Sequence, residues 1–238
     1  HNGGLKVMQP KGESMNTVGE FFEGKTLEYL TGSRKRPEVV FAAVAFDGGY
    51  RTEDGGRSWK KIFDGDVRTF TIDPHDERLV YMGIGPIRLF RSADGGMTFE
   101  PIDSMLDFSE DVKQKWDVPP RLRGIEFPHV RHIFIHPEDG KLMFVLLEHG
   151  GVLYSGDGGE TWEDRSDGIA YVDMHYIENY PGSKDRYYVS SARGYYRTDD
   201  AGQQWRRVEN GMPWAYTELH SYSHEWHFLP GVNPRMVV

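Results

Sequence analysis

The sequence predicts an all-β chain folded as a β-propeller of four-stranded antiparallel blades, and three observations carry that prediction. A unit with the pattern Ser/Thr-x-Asp-x-Gly-x-x-Trp/Phe occurs four times, around Asp54, Asp94, Asp157 and Asp200. The aspartates are spaced by 40, 63 and 43 residues, so two intervals have the length of one blade and the third is a blade with about 23 residues inserted. Between the units run short segments of alternating Val, Ile, Phe and Tyr, broken by 28 glycines and 13 prolines, the pattern of half-buried strands joined by frequent turns.

Each blade follows one order. An inner strand ends near a proline (67–74 and 130–137), a second strand follows (79–83 and 142–147), then a short third strand, the repeat turn, and a fourth strand opened by the turn's aromatic residue. Inner strands also fit 171–178 and 216–222, so five blades are expected to begin near residues 26, 66, 129, 171 and 216, the last of them incomplete. Either the residues before 26 supply its missing strands and close a ring of five, or the chain is a piece of a larger ring. In the repeat turn the aspartate is expected to cap backbone N–H groups, the glycine to take a positive φ, and the aromatic to wedge against the neighbouring strand. That role outweighs catalysis or calcium binding by these acids, because turn closure uses the same carboxylate oxygens. The inserted residues fall between blades. Their middle, 108–116, reads as a short helix with Ser109 as N-cap and Glu110 and Asp111 in its first turn, stopped by Pro119 and Pro120. The chain is thus expected to be one propeller domain over 1–238, with 104–127 as a lid-like loop or a packing insertion.

The repeat resembles the Asp-box, or BNR, unit of sialidases, sortilin-type receptors, xyloglucan-cleaving glycosidases and photosystem assembly factors, over residues 37–210. The resemblance implies a propeller, but it does not extend to a catalytic set. Arg68, Arg131 and Arg193 imitate the sialidase arginine triad, and Tyr171 or Tyr216 with Glu218 imitates its nucleophile pair. The Arg-Ile-Pro element is missing, and Gly85-Pro86-Ile87-Arg88 does not replace it. Xyloglucan-cleaving relatives need two such domains and the cleft between them. Receptors and assembly factors use the repeat as a docking surface, for which Trp116, Trp214, Tyr216 and Trp226 would serve as aromatic anchors for a peptide or glycan.

Composition removes several classes. With 28 Lys and Arg against 37 Asp and Glu, the formal charge is −9, which argues against nucleic acid as a partner. The absence of cysteine excludes disulfides, thiolate nucleophiles and Cys-ligated metals, and leaves the compartment open. Thirteen Phe, 13 Tyr and 6 Trp predict an aromatic core. No apolar run reaches the roughly 18 residues of a membrane span, no leader is visible, and the start at His1 reads as processing or trimming.

Function is expected on the face opposite the repeat turns, where interblade connections and second-to-third-strand loops meet. Aligning inner strands on their ends places Arg68, Arg131, Asp173 and Glu218 at one level, with His175 and His220 two residues further on. No helical His-Glu-x-x-His or other linear metal signature is present. If the inner strands converge, His129, His132, His149, His175 and His220 with Glu148, Asp173 or Glu218 form a nitrogen and oxygen site for Zn, Mn, Fe, Ni or Cu. A carboxylate that does not ligate would act as general base, and Arg68, Arg131 or Arg193, with Tyr171, Tyr216 and Trp214 beside them, would hold a small polar or anionic substrate. The competing expectation is that these imidazoles are packed, hydrogen-bonded wall residues. His136 and His75 are expected to be structural.

Overall fold

A computed structural model describes residues 3–118, 127–208, 227–229 and 235–237. The chain falls into two compact units, His1–Gly85 with Leu89–Pro101, and Pro86–Arg88 with Ile102–Val238. Among the described residues the architecture is all-β: four four-stranded antiparallel sheets, two two-stranded ones, and a single short α-helix. No helix among them is long and apolar enough to cross a membrane.

The first unit opens with a largely exposed hairpin, β1 (Leu5–Lys11) and β2 (Ser14–Phe21). Its base is anchored by Phe21 and Phe22, whose rings lie 6.5 and 5.6 Å from that of Trp59. Two sheets follow with their strands in chain order: β3 (Leu27–Gly32), β4 (Val40–Val44), β5 (Gly48–Thr52) and β6 (Lys60–Asp64), then β7 (Asp66–Ile72), β8 (Val80–Gly85), β9 (Arg88–Ser92) and β10 (Glu100–Pro101). Period-two alternation sends Phe41 and Ala43 of one sheet and Val80 and Met82 of the other into one buried cluster, which Val67 and Phe70 join from either side of a register shift in β7. The Phe41 and Phe70 rings meet there at 5.3 Å.

The second unit begins with a 3-10 turn, Asp103–Leu106, and α1 (Glu110–Lys113). The helix is shorter than expected for a local reason. Ser109 occupies the N-cap, but its hydroxyl makes no capping bond, and the chain leaves α1 through tighter bonds from Lys115 N to Val112 O and Trp116 N to Lys113 O. Pro119 and Pro120 lie outside the described residues. Then come β11 (His129–His136), β12 (Asp139–Glu148), β13 (Gly151–Ser155) and β14 (Glu163–Asp164), followed by β15 (Met174–Asn179), β16 (Tyr187–Ser191), β17 (Gly194–Thr198) and β18 (Arg206–Val208). A last hairpin pairs β19 (His227–Leu229) with β20 (Arg235–Val237). The aromatic core expected from composition is here: Phe144, Tyr187, Tyr196 and Trp205 are buried with Leu146, Ile177 and Val189. The four sheets start at 27, 66, 129 and 174. The fifth start, near 216, lies outside the described residues.

The repeat turns close as their residue types dictate. Asp54 Oδ1 accepts from Ser58 N at 2.9 Å and from the Thr52 hydroxyl at 2.7 Å, while Oδ2 accepts from the Ser58 hydroxyl at 2.7 Å. The Thr52 oxygen in turn accepts from Gly56 N at 3.0 Å. The same bonds recur around Asp94 and Asp157. At Asp200 the hydroxyl donor is replaced by Gln204, whose backbone N–H still donates at 3.0 Å, and the Thr198 hydroxyl donates at 2.6 Å. Gly96, at φ +82°, admits no side chain, because a Cβ there would collide with the Phe41 ring. These bonds, led by that from the Thr161 hydroxyl, hold the Asp157 carboxyl down at about 2, and the carboxyls of Asp54 and Asp94 are likewise well below the usual range.

Candidate functional site

One backbone irregularity recurs in every four-stranded sheet. The first strand bulges at its second or third residue, where the strand register skips one position: Glu28 between Leu27 and Tyr29, Arg68 between Val67 and Thr69, Arg131 between Val130 and His132, and His175 between Met174 and Tyr176. A bulged residue leaves the in-out alternation, so at Arg68, Arg131 and His175 a polar side chain stands between buried strand neighbours. The expected alignment put Asp173 at the level of Arg68 and Arg131; the bulges put His175 there instead. A signal was present in the sequence. His175 stands six residues before Pro181, as Arg68 does before Pro74 and Arg131 before Pro137.

In the first unit the bulged residues face carboxylates and each other. Arg68 donates through Nε and Nη2 to the two Asp66 oxygens at 2.8 and 2.9 Å, and through Nη1 to Glu28 at 3.3 Å. Asp66 also accepts from Phe46 N at 2.7 Å, and the exposed Phe46 ring covers the Arg68 guanidinium at 4.5 Å. Arg68 is therefore a buried, engaged cation.

In the second unit the turn after β12 assembles a denser group. His149 takes a left-handed backbone, φ +62°, which lets Gly150 N and Gly151 N both donate to Val172 O, at 3.0 and 3.1 Å. Those two bonds pin the segment before β15 to the end of β12, bringing Asp173 beside Glu148. Glu148 Oε2 lies 3.3 Å from His129 Nε2 and 3.5 Å from Arg131 Nε. His129 Nδ1 sits 2.9 Å from Phe127 O, which only accepts, so Nδ1 carries a proton. Asp173 Oδ1 lies 3.4 Å from His175 Nε2 and Oδ2 lies 3.9 Å from His149 Nδ1, yet Oδ1 accepts no hydrogen bond among the described residues. Glu148, Asp173 and His175 each offer one ligand atom within 4.8 Å of the others. Burial pushes the Glu148 carboxyl up, but the approach of His129 and the electrostatic influence of His129, Arg131 and His175 outweigh it and bring the group down to about 2.

The other expected residues fall around this group or away from it. His132 is buried against the Tyr176 ring at 4.6 Å; burial, with Arg131 and His227, lowers it to about 3, so it stays neutral. His136 is structural as expected, its Nε2 3.1 Å from Ser183 O and its Nδ1 accepting from Glu138 N. His75 lies in the turn after β7, its N–H donating to Asp73. Exposed Arg193 stands 4.3 Å over the half-buried Tyr171 ring. Trp116, from the insertion, sits against the His149 turn so closely that a Cβ on Gly150 would lie 3.2 Å from its Cδ1. Trp214, Tyr216, Glu218, His220 and Trp226 lie outside the described residues.

No family model and no curated protein matches the sequence. Solved structures do match its fold. The GH74 enzyme of Niastella koreensis aligns with TM-score 0.61 and 17% identity over 90% of this chain and 37% of that one. The GH74 xyloglucanase from Xanthomonas campestris aligns with TM-score 0.57 and 18% identity over 79% of this chain and 31% of that one. A structure of YCF48 bound to D1 peptide aligns with TM-score 0.50 and 14% identity over 88% of this chain and 58% of that one. The fold is that of a β-propeller. Its four-stranded sheets are propeller blades, and the chain spans only 31 to 58% of the length of these propellers.

Proposed function

We propose that Glu148, Asp173 and His175, with His149 at their edge, hold a divalent transition metal, and that the propeller is a metal-dependent enzyme for a small polar or anionic substrate. Asp173 carries the reading: a buried carboxylate, one oxygen without a hydrogen bond among the described residues, grouped with a second carboxylate and an imidazole. Two carboxylates within 4.8 Å of each other repel by roughly 3 kcal/mol or more at an effective dielectric of 20, which favours a cation between them. The mixed oxygen and nitrogen donors suit Zn, Mn, Fe, Ni or Cu. A metal held there would polarise a substrate oxygen, and Arg131 with Arg193 would orient the anionic end. His129 positions Glu148 in this reading, and Trp116 of the insertion shields the His149 turn beside the group. The repeat turns are Asp-boxes with a structural role.

Elemental mass spectrometry on tag-free protein tests the proposal. The expected result is about one equivalent of a first-row metal, lost in both Asp173→Asn and His175→Ala. Metal-free protein whose melting temperature ignores added Zn, Mn and Cu would sink it.

A non-catalytic propeller that binds a peptide or glycan is the second reading, favoured by Phe46, 64% exposed over Arg68, and by the Arg193–Tyr171 pair. Binding of such a ligand by metal-free protein, abolished in Phe46→Ala, is its signature. Sialidase chemistry stands behind both, since Arg68 is already held by Asp66 and Glu28.

A further inference from the structure

The fourth blade gathers arginines that closing its repeat turn does not require. The second position of the turn is Glu53, Ala93, Gly156 and Asp199 in the four blades. Glu53 accepts from Arg51, whereas Asp199 accepts from three guanidinium groups. Its Oδ1 takes bonds from Arg186 Nε at 2.6 Å and from Arg197 Nε and Nη2 at 3.2 and 2.7 Å, and its Oδ2 takes one from Arg206 Nη2. The Arg197 bonds, with Arg186 behind them, outweigh burial and hold the Asp199 carboxyl down at about 2.

Two of the three arginines stand where the sister blades have something else. Arg186 precedes β16, and its carbonyl accepts from Tyr180 N; the same backbone bond in the first two blades is made by Val39 and Leu79. Arg206 opens β18, where the other fourth strands open with Lys60, Glu100 and Glu163. Arg197 and Arg206 are direct partners across β17 and β18, a like-charge pairing that costs a sheet stability. Three guanidinium charges less one carboxylate leave a surplus of +2. Asp200 beside them is bonded within its own turn, to Thr198 and Gln204. Asp199 takes one donor from Arg186, two from Arg197 and one from Arg206, a minority of those the three groups carry. The side chains of Arg186 and Arg206 are 38% and 67% exposed, and no nitrogen of Arg186 is both buried and unbonded, so its spare donors meet solvent.

We propose that Arg186, Arg197 and Arg206 form a binding site for a dianionic phosphate monoester, with Asp199 as the counter-charge that keeps the three guanidinium groups together. Two negative charges match the surplus. A tetrahedral group with three terminal oxygens accepts from guanidinium forks that approach from several directions, whereas a carboxylate offers two oxygens in one plane. The formal charge of −9 repels a long polyanion, but a surplus confined to one spot acts within a Debye length, about 10 Å at 0.1 M salt, and suits a single phosphate. The site lies at the other end of the fourth blade from the Glu148 group. Met174, next to His175, pairs with Ser191, and Ser191 with Gly194 at the start of β17, while Asp199 follows the end of that strand, about 16 Å along it.

Isothermal titration of the full chain with phenyl phosphate, benzoate and a phosphoserine pentapeptide tests it. Phenyl phosphate is expected to bind at neutral pH, benzoate about tenfold more weakly, and Arg206→Gln to lose about tenfold for the phosphate. Arg186→Gln is expected to lose as much and stands in should Arg206→Gln fail to fold. Arg78→Gln, which removes an exposed arginine paired with Asp76 alone, is expected to change nothing. Affinity should fall as pH drops through about 6, where the ester gains a proton and arginine does not change. Tighter binding of the peptide identifies a phosphorylated protein segment as the source, and equal binding a small phosphate ester; either supports the site. No binding of either phosphate at millimolar concentration overturns the proposal, as do equal binding of benzoate, an equal loss in Arg78→Gln, or an affinity unchanged in both cluster variants. Loss in Arg131→Gln alone would place the anion at the Glu148 group and overturns it too.

Discussion

Ala201 holds a left-handed backbone, φ +55°, at the place where the three sister turns have Gly55, Gly95 and Gly158 at +69°, +77° and +84°. A Cβ in that region is crowded by the following carbonyl, so Ala201→Gly is expected to raise stability by about 0.5–1 kcal/mol, less than the whole strain because glycine also frees the unfolded chain. A higher urea midpoint with unchanged slope is the readout. The turn aspartates give a pH dependence of known sign. Asp157 titrates at about 2 in the folded chain against an ordinary 3.8, so its contribution is present above the unfolded value and is lost as pH falls through the folded one. Asp157→Asn, which gives up the charge that orders Thr161, is expected to melt lower than the parent at pH 7, with the gap closing toward pH 2. A gap that persists in acid would show that packing, not charge, is what the residue provides.

At the scale of the element, strands and turns answer to different parts of the sequence. Phe144 of β12 is fully buried, with the Tyr187 and Tyr154 rings at 4.7 and 5.1 Å, so Phe144→Ala is expected to cost about 3–5 kcal/mol in a denaturant titration. The repeat turns were legible because their bonds run between residues two to four apart, and the blade starts at 66 and 129 followed from proline and alternation alone. The bulges were not legible in the same way. Register is a property of two paired strands, so a register shift at Arg131 or His175 leaves no mark on its own strand's pattern, and only its distance to the closing proline hints at it. For the same reason His175 was placed two residues off its level. The helix was over-read because residue types at 109–111 favour a start, whereas the actual length depends on a capping bond that Ser109 does not make.

For the whole molecule, the proposed metal has a thermodynamic consequence. A ligand that binds only the folded state at a hundred times its Kd stabilises by about 2.7 kcal/mol, which for a chain of this size raises Tm by roughly 5–10 °C. Added Zn or Mn is expected to do so, a chelator to reverse it, and Asp173→Asn to abolish the response. Glu148, His149, Asp173 and His175 were all expected on one face, and the fold brings Glu148, Asp173 and His175 within 4.8 Å of one another. That His132 would instead stack on Tyr176, and that Arg68 would be consumed by Asp66 and Glu28, depended on neighbours brought by the fold. The bulges leave one more consequence. Glu28, Arg68, Arg131 and His175 occupy the same backbone niche with an acid, two guanidinium groups and an imidazole, while the apolar residues around them keep their sheets intact. Architecture and reactivity are thereby uncoupled: the niche tolerates a change of chemical character without repacking, so this scaffold is open to having its reactivity rewritten one residue per blade.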